Sequence, residues 1–177
     1  VNCAPEAWLT NAIDVFNNYY KDDNRSYAGG HCMSVQAGHA RSSFKRTFIR
    51  TQLLCGLRKG NRYRVELFVK SLHHILDSIG INFSPSDPLY DKRATHTITP
   101  SLYLADAGQA FSDDSSWHKV SLTYTAKGDE SFLAIANFSK RDINGTTGIP
   151  LENSFFVYID NVSVLPVNPN EKLCDDW

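Results

Sequence analysis

The sequence predicts an all-β protein, a two-sheet antiparallel jelly-roll β-sandwich with little helix, and the last third of the chain carries most of the evidence. Apolar and polar residues alternate over Trp117–Tyr124, Phe132–Phe138 and Phe155–Val164. Turn residues such as Lys127-Gly-Asp129 separate these runs. This combination is typical of antiparallel strands that bury one face.

Shorter runs of the same kind recur earlier in the chain, and each is bounded by turn residues. The region from Ala7 to Tyr20 fits either a helical turn or an irregular aromatic loop. The run from Pro100 to Leu104 fits an edge strand, because proline cannot donate to a ladder. Together with the three late runs, about eight strands are expected, which suits a sandwich or jelly roll. The other early strand candidates are Ser26–Ala37, Phe48–Leu57, Tyr63–Lys70 and Ile79–Phe83.

Two-residue spacing assigns one face of each strand to the core. In the run from Tyr63 to Lys70, the odd-numbered residues form the apolar face. Trp117, at the start of a strand, is predicted to plug the core. The full set expected to face the core comprises Val65, Leu67, Val120, Leu122, Leu133, Ile135, Tyr158, Val162 and Val164.

Composition indicates one globular domain with an ordinary charge balance. The 177 residues are 42% hydrophobic and 12% aromatic, and 18 basic residues face 19 acidic ones. Such a balance gives no electrostatic reason to expect nucleic acid or an anionic membrane as partner. No run approaches the ~20 apolar residues of a transmembrane segment. We expect an irregular N-terminal segment over 1–25, the jelly roll over 26–165, and a tail or linker over 166–177.

The four cysteines, Cys3, Cys32, Cys55 and Cys174, fit no zinc-binding spacing. In an exported domain they predict at least one disulfide, with a preference for a bridge that tethers Cys3 or Cys174 near the chain ends. Four buried thiols are the alternative. The chain starts at Val1, which we interpret as a mature or trimmed form whose export signal has been removed.

The order of several short fragments resembles one family. It is similar to the galactose-binding-like jelly roll at the N-terminus of OmpA-like lipoproteins and surface proteins of the Bacteroidota, and to carbohydrate-binding modules that end in a Tyr-Ile-Asp-Asp-Val strand. The resemblance covers about residues 26–165. This chain lacks the opening Asn-Gly/Pro-Ser-Phe-Glu strand, and Asn161 replaces the second acid of the last strand. The fragments are Tyr27-Ala-Gly29, Ile49–Leu54, Leu57–Gly60, Tyr63-Arg-Val65, Ile79–Ser84, Pro100-Ser-Leu102, Trp117, Gly128-Asp-Glu130, Ala136-Asn-Phe138 and Tyr158–Val164.

The resemblance implies a non-catalytic, extracytoplasmic binding module in the periplasm, outer membrane or at the cell surface, most often with a glycan as ligand. The alternative is a structural domain that contacts another protein of an outer-membrane or cell-surface assembly. An enzyme is the third class, and we rank it last, because the chain has neither a Gly-x-Ser-x-Gly elbow nor a glycine-rich phosphate loop.

Aromatic residues in polar loops are the candidate glycan ligands, because flat rings stack on the C–H face of a sugar while amides and carboxylates bind its hydroxyls. Tyr19, Tyr20, Tyr90 and Asp91 fit this description, since they lie among Asn and Asp residues. The alternative is that these aromatic residues anchor long loops.

The family resemblance also implies a structural Ca²⁺ at the first acid of the closing strand, which matches Asp160. Calcium takes six to eight oxygen ligands, and Asp22 and Asp23, with the Asn161 amide, could supply some of them. The missing glutamate of the opening strand removes one strong ligand. The alternative is that Asp160 accepts hydrogen bonds from backbone N–H groups of a neighbouring loop.

Overall fold

The computed structural model describes residues 9–10, 19–21, 26–28, 31–39, 46–71, 75–87, 94–111, 116–140 and 154–171. Ten strands lie within these ranges and form two antiparallel sheets of five strands each. The all-β sandwich predicted from the alternation is therefore confirmed. In chain order the strands are β1 (Leu9–Thr10), β2 (Tyr19–Lys21), β3 (His31–His39), β4 (Phe48–Gln52), β5 (Arg62–Ser71), β6 (Ile79–Ser84), β7 (Leu102–Tyr103), β8 (His118–Thr125), β9 (Phe132–Asn137) and β10 (Ser154–Pro166).

The chain crosses repeatedly between the two sheets. Sheet A has the strand order β1-β4-β9-β6-β7, and sheet B has the order β2-β3-β10-β5-β8. The short strand β7 lies at the edge of sheet A, so the edge position predicted for residues 100–104 is confirmed. The last strand in the sequence, β10, lies at the centre of sheet B between β3 and β5.

Helix within the described residues is limited to three 3₁₀ turns, Leu76–Ser78, Thr95–Thr97 and Leu104–Ala107. The described part of the chain contains no helix with the length and apolar character needed to cross a membrane.

The core lies between the sheets. The predicted alternation of buried and unburied residues is clearest in β5 and β8, whereas β6 and β9 are buried on both faces. In β5, the residues Val65, Leu67 and Val69 are completely buried, while the residues between them are exposed or half-buried. The predicted core residues of β8 and β9 are also buried, and so is Val162 in β10. Val164 is partly buried and packs against the same cluster.

The prediction was wrong for Tyr158, and a β-bulge explains the error. The pairing of β10 with β5 shifts register between Asp160 and Ser163, and Asn161 has a positive φ of 49°. A bulge adds one residue, so the inward positions are odd before it and even after it. Ile159 and Val162 therefore both face the core, whereas Tyr158 is half-buried on the outer side of sheet B.

Both ends of the chain contribute to the sandwich where they are described. Strand β1 pairs with β4 of sheet A, and β2 pairs with β3 of sheet B. Of the region 7–20, for which a helical turn or an irregular loop was expected, only 9–10 and 19–20 are described, and these four residues are extended. The expectation for 7–8 and 11–18 lies outside the described residues. At the other end, β10 continues to Pro166, and the Val167 N–H donates to the carbonyl of Arg62 at 2.9 Å.

Cys55 is disulfide-bonded, which confirms the prediction of at least one bridge. Its partner lies outside the described residues, as do Cys3 and Cys174. Cys32 takes no part in this bridge and is 1% exposed in β3.

Candidate functional site

The outer face of sheet B carries a row of large side chains that its strand register aligns. Pairing of β10 with β5 places Tyr158 opposite Lys70 and Asp160 opposite Phe68. Pairing of β5 with β8 places Val69 opposite His118, so Trp117 enters β8 beside Lys70. Residues opposite one another in an antiparallel pair share a face, and these side chains are therefore neighbours.

Four aromatic side chains form a cluster on this face, which we call the aromatic platform: Tyr27, Phe68, Trp117 and Tyr158. The Tyr27 and Phe68 rings stack with centroids 3.6 Å apart and planes 15° from parallel. The Trp117 ring meets Tyr27 edge-on at 6.2 Å. Tyr27 is 46% exposed, and the other three rings are half-buried. The platform thus presents aromatic surface to solvent.

A lysine joins the two sides of the platform. The Lys70 ammonium lies 4.9 Å from the centroid of the Trp117 ring and 5.6 Å from that of the Tyr158 ring. Attraction between a cation and an aromatic face contributes about 0.5–1 kcal/mol at an exposed site and more when water is excluded. These contacts fix the position of a positive charge between two rings.

Asp160 holds the loop that carries Tyr27. Its Oδ2 accepts hydrogen bonds from the backbone N–H groups of Tyr27 at 2.8 Å and Ala28 at 3.1 Å. Its Oδ1 accepts the N–H of Asn161 at 2.7 Å. Because Asp160 is also opposite Phe68, the carboxylate sets the Tyr27 ring over the Phe68 ring. The alternative interpretation of Asp160, as an acceptor for loop N–H groups, is therefore observed.

These hydrogen bonds fit a cation at Asp160 poorly. Three N–H dipoles direct their positive ends at the two carboxylate oxygens, which is the surrounding expected for an anion without a metal. Among the described residues, no group of three or more His, Cys, Asp or Glu side chains could hold a metal ion. Asp22 and Asp23 lie outside the described residues, so calcium binding by that loop stays a prediction.

Charged side chains border the platform along β5 and β8. Glu66 forms an ion pair with Lys119 at 3.1 Å and a longer one with Arg64 at 3.7 Å. All three side chains lie on the outer face, since their neighbours Val65 and Val120 are buried. The aromatic platform is therefore continuous with a polar surface that can bind hydroxyl or carboxylate groups.

The structure leaves the predicted glycan ligands undecided. The backbones of Tyr19 and Tyr20 form part of β2, at the edge of the sheet that carries the platform, opposite Met33 and Cys32. Nothing is described of their side chains. Tyr90 and Asp91 lie outside the described residues, so all four stay predictions.

Sequence reasoning missed most of the platform, although one local signal was present. Phe68 is an aromatic residue at one of the outward-facing, mostly polar positions of β5, where an unburied side chain is expected. Tyr158 would have been assigned to the same outer face of sheet B if the bulge after Asp160 had been anticipated. Trp117 was wrongly assigned to the core: it is half-buried and contacts Tyr27 and Lys70 on the outer face.

Shifted pKa values occur away from the platform, at the turn between β8 and β9. The Glu130 carboxylate is 1% exposed and accepts hydrogen bonds from the Tyr124 hydroxyl at 2.6 Å and from the N–H groups of Lys127, Gly128 and Asp129. Burial alone would raise the pKa of Glu130, but these donors outweigh burial and lower it. Burial, followed by the hydrogen bond to Glu130, raises the pKa of Tyr124. All four of these donors lie in the turn or at the end of β8, which indicates a structural role for Glu130.

An open groove of about 550 Å³ lies beside the edge of sheet A. Its lining includes Asp77, Tyr103, Asp106, Phe138 and Lys140. The Asp106 carboxylate accepts the backbone N–H of Tyr103 at 2.7 Å and so caps a 3₁₀ turn. The groove lacks the aligned aromatic rings of the sheet B face, and we give it the lower rank.

Solved structures of other proteins are similar to this chain over most of its length. The K1 cleaved adhesin domain of Lys-gingipain from Porphyromonas gingivalis is 12% identical, with 91% of each chain covered and a TM-score of 0.48. The CBM22-1 xylan-binding domain of Xyn10C from Paenibacillus barcinonensis is 11% identical, with 92% of this chain and 87% of that chain covered and a TM-score of 0.48. The N-terminal cellulose-binding domain of β-1,4-glucanase C from Cellulomonas fimi is 13% identical, with 93% and 91% covered and a TM-score of 0.44.

No protein-family model matches the chain, and no curated protein matches it. The resemblance to OmpA-like lipoproteins therefore has no support beyond the fragments themselves. These solved structures are at most 13% identical to this chain and have TM-scores below 0.5. The argument for function therefore depends on the geometry of sheet B.

Proposed function

We propose that this chain is a non-catalytic carbohydrate-binding module whose binding surface is the outer face of sheet B. The observation that carries the proposal is the aromatic platform, in which Tyr27 is 46% exposed and Trp117 and Tyr158 are half-buried. Aromatic rings of this kind stack on the apolar face of a sugar ring, and the charged groups beside them suit its hydroxyls.

The position of Tyr27 supports a binding role over a packing role. A large ring that is 46% exposed gains only part of the free energy of full burial, yet Asp160 accepts hydrogen bonds from the backbone N–H groups of Tyr27 and of its neighbour Ala28. A loop fixed in this way pays little ordering entropy when a ligand binds, so the surface is prepared for binding.

We also propose that the protein acts outside the cytoplasm, in the periplasm, outer membrane or at the cell surface. The disulfide at Cys55 supports this placement, because structural disulfides form and persist in oxidising compartments.

Affinity electrophoresis against soluble polysaccharides, preceded by a glycan array to select them, tests the proposed surface. We expect Trp117→Ala and Tyr27→Ala each to weaken glycan binding by about tenfold or more, since a stacking contact is worth about 1–2 kcal/mol. Leu54→Ala is the matched control: Leu54 is 70% exposed and follows β4 of sheet A. Equal melting midpoints for the variants would show that the fold is retained.

Two results would contradict the proposal. One is the absence of glycan binding by the wild-type protein across the array. The other is glycan binding that survives in both aromatic variants, which would move the site elsewhere. Binding of a protein that competes at Tyr27 and Trp117, with no glycan bound, would support the structural interaction domain instead.

A further inference from the structure

We infer that the sheet B face binds a linear glycan chain of several sugar units, which lies along β5 from the aromatic platform toward Arg62. Arg64 and Thr123 contact the units that are far from the platform. This inference deepens the proposed function and rests on it. It begins from the outward residues of β3, β5 and β8, which differ in their access to solvent.

The outer face is closed on the β3 side of the platform. Ser34 lies opposite Tyr158, so both side chains point outward. Cys32 points the same way, because residues two apart in a strand share a face. Cys32 and Ser34 are nonetheless buried. A ligand that stacks on the platform therefore cannot continue across the sheet onto β3.

The outer face is open to solvent along β5 and β8. Along β5 the outward residues change from half-buried at Glu66 to exposed at Arg64 and Arg62. The outward residues of β8 from Lys119 onward are all exposed. The length of strand from Phe68 to Arg62 is roughly 20 Å, at about 3.3 Å per residue. A single sugar ring cannot cover this length, whereas a chain of several units can.

The polar side chains along this open part of the face match the hydroxyl groups of a sugar chain. Strand register places Glu66 opposite Ser121 and Arg64 opposite Thr123. A carboxylate accepts hydrogen bonds, a guanidinium donates them, and a hydroxyl does both. The ion pair between Arg64 and Glu66, at 3.7 Å, keeps a donor and an acceptor side by side. Successive sugar hydroxyls can therefore find a partner in either role.

Apolar side chains lie beside these polar groups. Pairing of β10 with β5 places Leu165 opposite Arg64, and the N–H of Val167 donates to the carbonyl of Arg62 at 2.9 Å. Leu165 is half-buried, and Val167 is 44% exposed. Packing the C–H face of a sugar ring on such side chains removes apolar surface from water. The far end of the face thus offers both kinds of contact that a sugar unit makes.

Oligosaccharides of increasing length test the inference. The probes are cello-, xylo- and manno-oligosaccharides from the disaccharide to the hexasaccharide, with affinity measured by calorimetric titration. We expect the affinity of the wild-type protein for at least one series to rise by about tenfold or more with length, because each added unit gains contacts along β5. Equal affinity for all lengths, or binding to none of the three series, would overturn the inference.

Substitutions at the far end of the face should depend on ligand length. Arg64→Ala and Thr123→Ala should each weaken hexasaccharide binding by about threefold to tenfold and disaccharide binding by less than about twofold. Trp117→Ala should weaken binding at every length. Gln52→Ala is the control, because Gln52 is also exposed but ends β4 in sheet A. With melting midpoints equal to that of the wild-type protein, unchanged hexasaccharide binding in both far-end variants would overturn the inference.

The two proposals fail in different ways. If Trp117→Ala and Tyr27→Ala abolish binding but every length binds equally well to the wild-type protein, only the extended chain along β5 is wrong. If oligosaccharides bind just as well to both aromatic variants, the proposed surface is wrong and the inference falls with it.

Discussion

Glu130 and Asp160 are carboxylates with similar hydrogen bonds and different consequences. Glu130 accepts donors that are at most six residues away, from Tyr124 to Asp129, and closes its own turn. Asp160 accepts N–H groups from Tyr27 and Ala28, 133 and 132 residues away. The first acid stabilises the turn that connects β8 of sheet B with β9 of sheet A, whereas the second brings together the parts of a surface that no single segment contains.

The comparison shows that an acid in a β-rich sequence need not bind a ligand itself. Both side chains replace water for backbone N–H groups that would otherwise lack partners. What differs is which segment the carboxylate holds. We therefore expect substitution of Glu130 to affect stability alone, and substitution of Asp160 to affect binding as well.

The largest expected effect is on stability at Glu130. Glu130→Gln replaces an acceptor-only group with an amide and leaves buried N–H and O–H donors without a carboxylate. We expect a loss of about 2–4 kcal/mol in the free energy of unfolding, measured by urea denaturation. Asp129→Asn is the control, since the Asp129 side chain is exposed, and it should change stability by less than about 0.5 kcal/mol. A similar loss in both variants would contradict the role assigned to Glu130.

Asp160→Asn should lower the free energy of unfolding less than Glu130→Gln does, and it should also weaken glycan binding. Loss of a charged acceptor for loop N–H groups should lower the free energy of unfolding by about 1–2 kcal/mol. Glycan affinity should fall by about tenfold, because Tyr27 is no longer held over Phe68. Asn161→Gly is the control, since glycine readily adopts the positive φ of 49° found there. Calorimetric titration with the selected polysaccharide measures the affinity, and an unchanged affinity in Asp160→Asn would remove Asp160 from the site.

The stability that Glu130 supplies should depend on pH. The pKa of Glu130 lies below its usual value of 4.5, so the folded state holds the ionised form more strongly than the unfolded state does. The stability that Glu130 supplies is then complete above pH 4.5 and is lost as the pH falls through its folded pKa. Urea midpoints measured from neutral to acid pH should therefore fall less in Glu130→Gln than in the wild-type protein. Parallel curves for the two proteins would contradict this assignment.

Calcium should have the smallest effect at Asp160. Because three N–H groups already occupy this carboxylate, we expect melting midpoints in calcium and in EDTA to agree within about 1 °C. A calcium-dependent rise of roughly 5–10 °C would support the site predicted with Asp22 and Asp23. Asp160→Asn would then show whether Asp160 contributes a ligand, because the rise should be lost in that variant.

Much of the fold could be predicted because alternation records burial directly. Strands β5 and β8 have one buried face each, and the sequence places apolar residues on that face. The bulge after Asp160 breaks this record. A single residue with positive φ exchanges the inward and outward positions that follow it, and asparagine at that position is only a weak indication of a bulge. Tyr158 was therefore assigned to the wrong side of sheet B.

The candidate site was harder to predict because it depends on strand pairing across long distances in sequence. Tyr27, Phe68, Trp117 and Tyr158 are at least 40 residues apart from one another. Only the register of β10 with β5, and of β5 with β8, makes them neighbours. Periodicity within one strand reports which face a residue occupies and contains no information on the residues beside it. The aromatic residue on the polar face of β5 was the one local sign.

The central place of β10 in sheet B determines the order in which the molecule can be completed. During synthesis β3 and β5 emerge early, but the strand that pairs with both of them emerges after the other nine described strands. Until then sheet B has two edges in place of its centre, and unpaired edges of this kind invite association with other chains. Folding of the domain is therefore expected to finish only after β10 has been made, and to be slow, in line with its many long-range contacts. Protection of the open edges of β3 and β5 until Ser154–Pro166 arrives therefore decides between correct folding and association with other chains.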